Sequence, residues 1–128
     1  MKKMLLAALL LLGACSQNET AALKVGTYKL TNTMHNAHTT LAFSEDGRIT
    51  GRVVNTIMGQ YETKSDTITI TPTGTTMMMG PQEEMEAEQN FIQALLLVKK
   101  YRMQGNNLVL ILDNGGELVF EPFVEAKE

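Results

Sequence analysis

Apolar and polar residues alternate with period two over much of the chain beyond residue 24. In KVGTYKL (24–30), Val25, Thr27 and Lys29 fall on one face, and Tyr28 and Leu30 on the other. TTLAFSEDGRITG (39–51) predicts a hairpin. Leu41 and Phe43 face inward, Asp46-Gly47 turns the chain, and Ile49 resumes the inward face. DTITITPTG (66–74) sets Ile68 and Ile70 inward between threonines, and the strand is expected to stop at Pro72 and Gly74. YRMQGNNLVLILDNGGELVFEPF (101–123) predicts three more strands, punctuated by GNN and DNGG. Leu108, Leu110 and Leu112 share a face there, as do Leu118 and Phe120.

One segment breaks the period. PQEEMEAEQNFIQALLLVKK (81–100) repeats its apolar residues at helical spacing. Met85, Phe91, Ile92, Leu95 and Leu96 form a stripe, with Glu88 at its edge. Pro81 suits the first helical position. Glu83 and Glu84 suit the positive end of the helix dipole, and Lys99 and Lys100 the negative end. The order is therefore about five strands, one helix and three strands. This predicts an α+β, mainly β fold: a curled antiparallel sheet or partial barrel of about 7–8 strands, with one main helix over about 82–98 packed on it.

The opening residues follow another pattern. Lys2 and Lys3 precede an apolar run, Met4 to Leu12, and the small residues Gly13 and Ala14 follow. These are the three regions of a secretory signal peptide. As a helix the run spans roughly 14 Å, about half the hydrocarbon thickness of a bilayer, so a permanent membrane span is not expected. LGAC (12–15) resembles the lipobox of bacterial lipoproteins, in which the cysteine is acylated and becomes the first mature residue. Cys15 is the only cysteine in the chain. It is read as a lipid anchor, since two or three acyl chains at about 0.8 kcal/mol per buried CH₂ hold a protein firmly. By the sorting pattern of such lipoproteins, Ser16 favours the outer membrane over the inner.

The expected organisation is a signal peptide over 1–14, the lipidated cysteine and a flexible tether over 15–23, and one domain over 24–124. The polar stretch SQNETAAL (16–23) reaches about 26 Å at full extension. Loss of 1–14 leaves nine basic against fourteen acidic side chains. That balance argues against nucleic acid and against electrostatic binding to anionic lipid. With no cysteine left to pair, the domain relies on its core, which is feasible at this size. It is expected to be a monomer.

Candidate chemistry is sparse. His35 and His38 could be two metal ligands, but zinc takes three or four and there is no further histidine. A solvated loop is the reading taken, and no metal is expected. EEMEAE (83–88) lacks the alternating Asp/Asn and glycine of a calcium loop, and helix-dipole complementarity accounts for it. Met77, Met78 and Met79 carry flexible thioethers suited either to packing or to an adaptable apolar site. They are the favoured place for a hydrophobic partner or ligand. Ser16, Ser44 and Ser65 lie in no nucleophile motif. No catalytic residue, enzyme activity or cofactor is therefore expected.

GRVVNTIMGQY (51–61) supplies Gly51, Val54, Asn55, Gly59 and Tyr61. TMMMGPQEEMEAEQNFIQALLLV (76–98) supplies Thr76, Met78, Gly80, Pro81, Glu86, Glu88, Phe91 and Leu95. A closing run supplies Tyr101, Gly105, Leu108, Leu110, Leu118 and Phe120. The ordered series resembles the META domain of the HslJ-like bacterial lipoproteins. That family carries cysteines where this chain has Val54 and Gly80. Loss of both at once predicts that the two positions are neighbours in the fold, once a pair or a shared site. The resemblance implies a small antiparallel β structure with helical cover, anchored in the cell envelope and associated with stress. The expected function is a non-catalytic envelope lipoprotein that binds or supports a partner. The alternative is a lipocalin-like carrier whose curled sheet holds a small apolar molecule.

Overall fold

The computed structural model describes residues 22–32 and 38–124. The signal segment, Cys15, the first part of the tether and His35 lie outside the described residues. Eight strands form the fold: β1 (Gly26–Leu30), β2 (Thr40–Phe43), β3 (Arg48–Arg52), β4 (Thr56–Lys64), β5 (Thr67–Thr75), β6 (Val98–Gln104), β7 (Asn107–Leu112) and β8 (Glu117–Pro122). One helix, α1 (Gln82–Leu97), separates β5 from β6. Each strand pairs antiparallel with the next, and β1 pairs with β8, so the sheet closes into a barrel.

The two-residue period decides what fills that barrel. Leu41, Phe43, Ile49, Ile57, Ile68, Ile70, Leu108, Leu110 and Phe120 are all buried and belong to one core. Residues between them along each strand mostly face out, the threonines of β5 among them. Tyr28 and Leu30 turn inward and Thr27 outward, as their alternation predicts.

The registers sort the connections onto two rims. Tyr28 opposes Pro122, Phe43 opposes Ile49, and Lys64 opposes Thr67. The start of β1, the end of β8 and the turns 44–47, 65–66 and 105–106 therefore share one rim, the near rim. A hydrogen bond from Lys24 Nζ to Asn106 Oδ1 (2.9 Å) crosses it. Tyr28, Phe43 and Tyr61 meet edge to face there, with centroids 6.1 and 5.0 Å apart. The turns 53–55 and 113–116 and the segment 76–81 sit on the far rim.

α1 covers the far mouth. Pro81 stands one residue before the helix, and its carbonyl accepts from the N–H of Glu84 and Met85, both at 3.0 Å. Phe91 and Leu95 point into the core, and the Phe91 ring lies 6.5 Å from Phe120. At the other end the Leu97 carbonyl accepts from the N–H of Asp113 (2.7 Å). Three local expectations are corrected. The helix ends at Leu97, so Lys99 and Lys100 lie in β6 and its last turn has no basic residue. Leu96 is exposed, because the buried stripe runs through Ala87, Glu88, Phe91 and Leu95 instead. β5 continues through Pro72 and Gly74 to Thr75. Its pairing with β6 is confined to Thr67 opposite Lys100. Beyond that point β5 has one strand neighbour only, which is where a proline is tolerated.

Gly59 marks a close approach within the barrel wall. The β4–β5 register shifts at Met58 and Gly59. A Cβ at Gly59 would lie 2.5 Å from the Thr71 carbonyl oxygen and 2.9 Å from Pro72 Cα, both backbone atoms. Gly59→Ala is expected to destabilise the domain by about 2 kcal/mol, measured by urea denaturation. A loss under about 0.5 kcal/mol would mean that the bulge yields freely.

Candidate functional site

The far rim holds a buried polar knot that joins three segments remote in sequence. Asn55 sits in the β3–β4 turn and Glu88 in the second turn of α1, and they are 3% and 2% exposed. Glu88 Oε1 accepts from the N–H of Val54 (3.0 Å) and of Asn55 (2.6 Å). Glu88 Oε2 accepts from Asn55 Nδ2 (2.9 Å). Asn55 in turn fixes the segment after β5. Its Oδ1 accepts from Thr76 Oγ1 (2.8 Å) and from the Met78 N–H (2.5 Å), and its Nδ2 also donates to the Met78 carbonyl (3.2 Å). Thr76 Oγ1 accepts from the Thr56 N–H (3.0 Å). Buried polar groups in such a network specify one arrangement of the chain.

This knot decides the conformation of the methionines. β5 stops at Thr75, and Asn55 holds Met78 by both backbone groups. The three methionines therefore lie beyond the strand, in the segment that leads to α1. Met77 and Met79 are 92% and 87% exposed, and Met78 is about half exposed. Together with Thr75, Thr76, Met85, Gln89, Asn55 and Glu88 they line a recess of about 200 Å³, open to solvent. Four methionines contribute to its lining. The floor is the Asn55–Glu88 pair.

Val54 and Gly80, predicted to be neighbours, are in contact. A Cβ built at Gly80 would lie 3.7 Å from Val54 Cβ, and 3.0 and 3.2 Å from its two methyl groups. Val54 occupies the space that a side chain at position 80 would need. The other residues of the motif series are spread around the fold. Gly51 lies in β3, where a Cβ would meet Leu41 and Ile57 at 3.4 and 3.5 Å. Gly59 is at the bulge. Tyr61 is at the near rim, where its hydroxyl donates to the Ser44 carbonyl (2.6 Å). Phe91 is in the core. His38 is exposed ahead of β2.

Three groups at the near rim have displaced titrations. Burial pushes the Tyr28 hydroxyl up. It does the same at Tyr61, with the Asp46 and Glu45 carboxylates adding to it. A hydrogen bond from Ser44, more than the Arg48 charge, holds Asp46 below the usual carboxylate range. Among the described residues, no group of three or more His, Cys, Asp or Glu is placed to hold a metal.

Glu88 is the residue that sequence reasoning underrated. Helical periodicity puts it at the edge of the apolar stripe, whereas the structure buries it among donors. The available signal was a lone acid spaced three residues from both Met85 and Phe91, inside a run whose other acids lie outside the stripe.

Among curated proteins no match is found. Two solved structures share the fold. One is a DUF4847 family protein from Bacteroides vulgatus, 23% identical, with a TM-score of 0.53 over 69% of this chain and 61% of that one. The other is a protein from Burkholderia xenovorans, 21% identical, with a TM-score of 0.67 over 80% of this chain and 85% of that one. The chain thus spans less than two thirds of the Bacteroides protein. The family model of the META domain matches residues 21–125, which take in every element of the barrel, and the chain belongs to the META-domain family.

Proposed function

We propose that the chain is a lipoprotein of the bacterial cell envelope, anchored through acylated Cys15 in the outer membrane. Its META domain serves as a non-catalytic binding module that engages a partner protein during envelope stress. One observation carries the binding face: Met77 and Met79 stand exposed on the far rim, opposite the rim where the tether enters β1. A tether at one end leaves the other end free to meet a partner, and contiguous exposed apolar side chains mark interaction sites.

The filled interior weighs against the carrier reading. Leu41, Ile57, Leu95, Leu108, Leu110 and Phe120 are fully buried within the barrel. The near mouth carries the Tyr28, Phe43 and Tyr61 rings, and the far mouth carries α1. The recess, at about 200 Å³, is below the volume of pockets that enclose drug-sized ligands.

A photo-crosslinking residue at position 77 or 79 tests the face in living cells, with position 63 at the near rim as control. Discrete adducts from 77 and 79 and none from 63 are expected. Equal adducts from 63 would remove the recess as the binding face. Cys15→Ser is expected to move the protein from the membrane to the soluble fraction, and retention at the membrane would remove the anchor.

A further inference from the structure

We propose that the far-rim recess binds a soft monovalent cation, Cu(I) or Ag(I), through the thioether sulfurs of Met77, Met78, Met79 and Met85. This rests on the reading of the recess as the binding face, and it names a ligand for it.

Three observations converge. The first is donor chemistry. Of the nine methionines in the chain, four line this one recess. Thioethers are soft donors that select d¹⁰ monovalent ions, while carboxylate and imidazole serve harder and borderline divalent ions. Among the described residues, neither cysteine nor histidine lines the recess, so zinc and Cu(II) lack their preferred ligands there. The second is charge. Glu88 lies on the recess floor, buried, and its partners are N–H donors. None of the ion pairs found among the described residues includes it. A carboxylate in that position draws a cation towards the thioethers without having to ligate it. The third is geometry. Asn55 pins the backbone of Met78 while the neighbouring side chains remain free in solvent. Unbranched methionine side chains on a fixed backbone can close around a small ion without moving the fold.

The test uses the full chain carrying Cys15→Ser in detergent micelles, so that no thiol competes, with ¹³C-labelled methionine methyl groups. The probe is silver nitrate in chloride-free buffer, and zinc sulfate is the control. One Ag(I) per chain is expected in the native mass spectrum. The methyl signals of Met77, Met78, Met79 and Met85 are expected to shift, while those of Met58 and Met103 stay in place. Joint Met79→Leu and Met85→Leu substitution should weaken Ag(I) binding by roughly tenfold or more, as two soft donors are lost, with an unchanged circular dichroism spectrum. Joint Met58→Leu and Met103→Leu substitution should leave binding unchanged. The proposal is overturned by absence of retained silver, by equal shifts at all methionines, by the same shifts with zinc, or by full binding in the Met79/Met85 variant. If silver is not retained while adducts still form at position 77 in cells, the cation fails and the binding face stands. If both fail, the face falls too.

Discussion

Glu88→Ala is expected to cost the domain about 4 kcal/mol, on the order of 20 °C in Tm for a domain of this size. The substitution removes one acceptor group from three donors: the N–H of Val54, the N–H of Asn55 and Asn55 Nδ2. A buried donor left without a partner costs about 1–3 kcal/mol. The recess is open, so water recovers part of the loss, which places the total below the sum of three full penalties. Glu88→Gln separates hydrogen bonding from shape. Its amide oxygen can still accept from the two backbone groups, but its NH₂ then faces the NH₂ of Asn55. A loss of about 2 kcal/mol is expected. Asn55→Ala provides the cycle, since removing Glu88 in that background should cost less than in the parent. Thermal unfolding followed by circular dichroism measures all of these. A loss below about 1 kcal/mol for Glu88→Ala would show that the far rim does not depend on the knot.

Joint Val54→Cys and Gly80→Cys substitution is expected to form a disulfide and to stabilise the fold by about 3 kcal/mol, from the chain entropy of closing the loop over 54–80. The Cβ separation of 3.7 Å matches the spacing that disulfides adopt. Gly80 has no positive φ that would resist a side chain. The single substitutions should behave oppositely to the pair. Gly80→Cys alone places its Cβ 3.0 Å from a Val54 methyl group and should destabilise. Val54→Cys alone opens space next to a glycine and should cost about 1 kcal/mol. Unfolding midpoints with and without reductant, in a Cys15→Ser background, decide the matter. If the oxidised double variant unfolds no later than the reduced one, the neighbouring geometry is not that of a bridge.

Those two sites also show what could be read from the sequence. Strand faces were legible because a half-buried strand needs no partner to display its period: Leu41, Phe43, Ile49, Ile68 and Ile70 all point where the alternation puts them. The contact between Val54 and Gly80 was legible only through the family resemblance, since nothing in their side chains invites pairing. The complete ring was not legible. It depends on β1 meeting β8 across nearly the whole domain, and no local pattern reports such a pairing. The role of Glu88 was hidden for a related reason. Periodicity scores a carboxylate against an apolar stripe, while its donors come from a turn more than thirty residues away. The run of β5 past Pro72 turns on which neighbour the strand lacks, a property of the sheet and not of the residue.

The pairing of β1 also bears on mechanics. β1 opposes β2 at four register positions and β8 at three. With the tether proposed above, tension between the membrane and a partner on the far rim would run along β1. Such a load shears both ladders at once, and all their hydrogen bonds resist together. A load across the strands would instead meet the junction of β5 and β6, where a single register pair stands between the strands. The barrel is therefore stiff along its axis and weak across one seam. Stretched from the membrane end, it should hold its shape until the ladders of β1 fail as a unit.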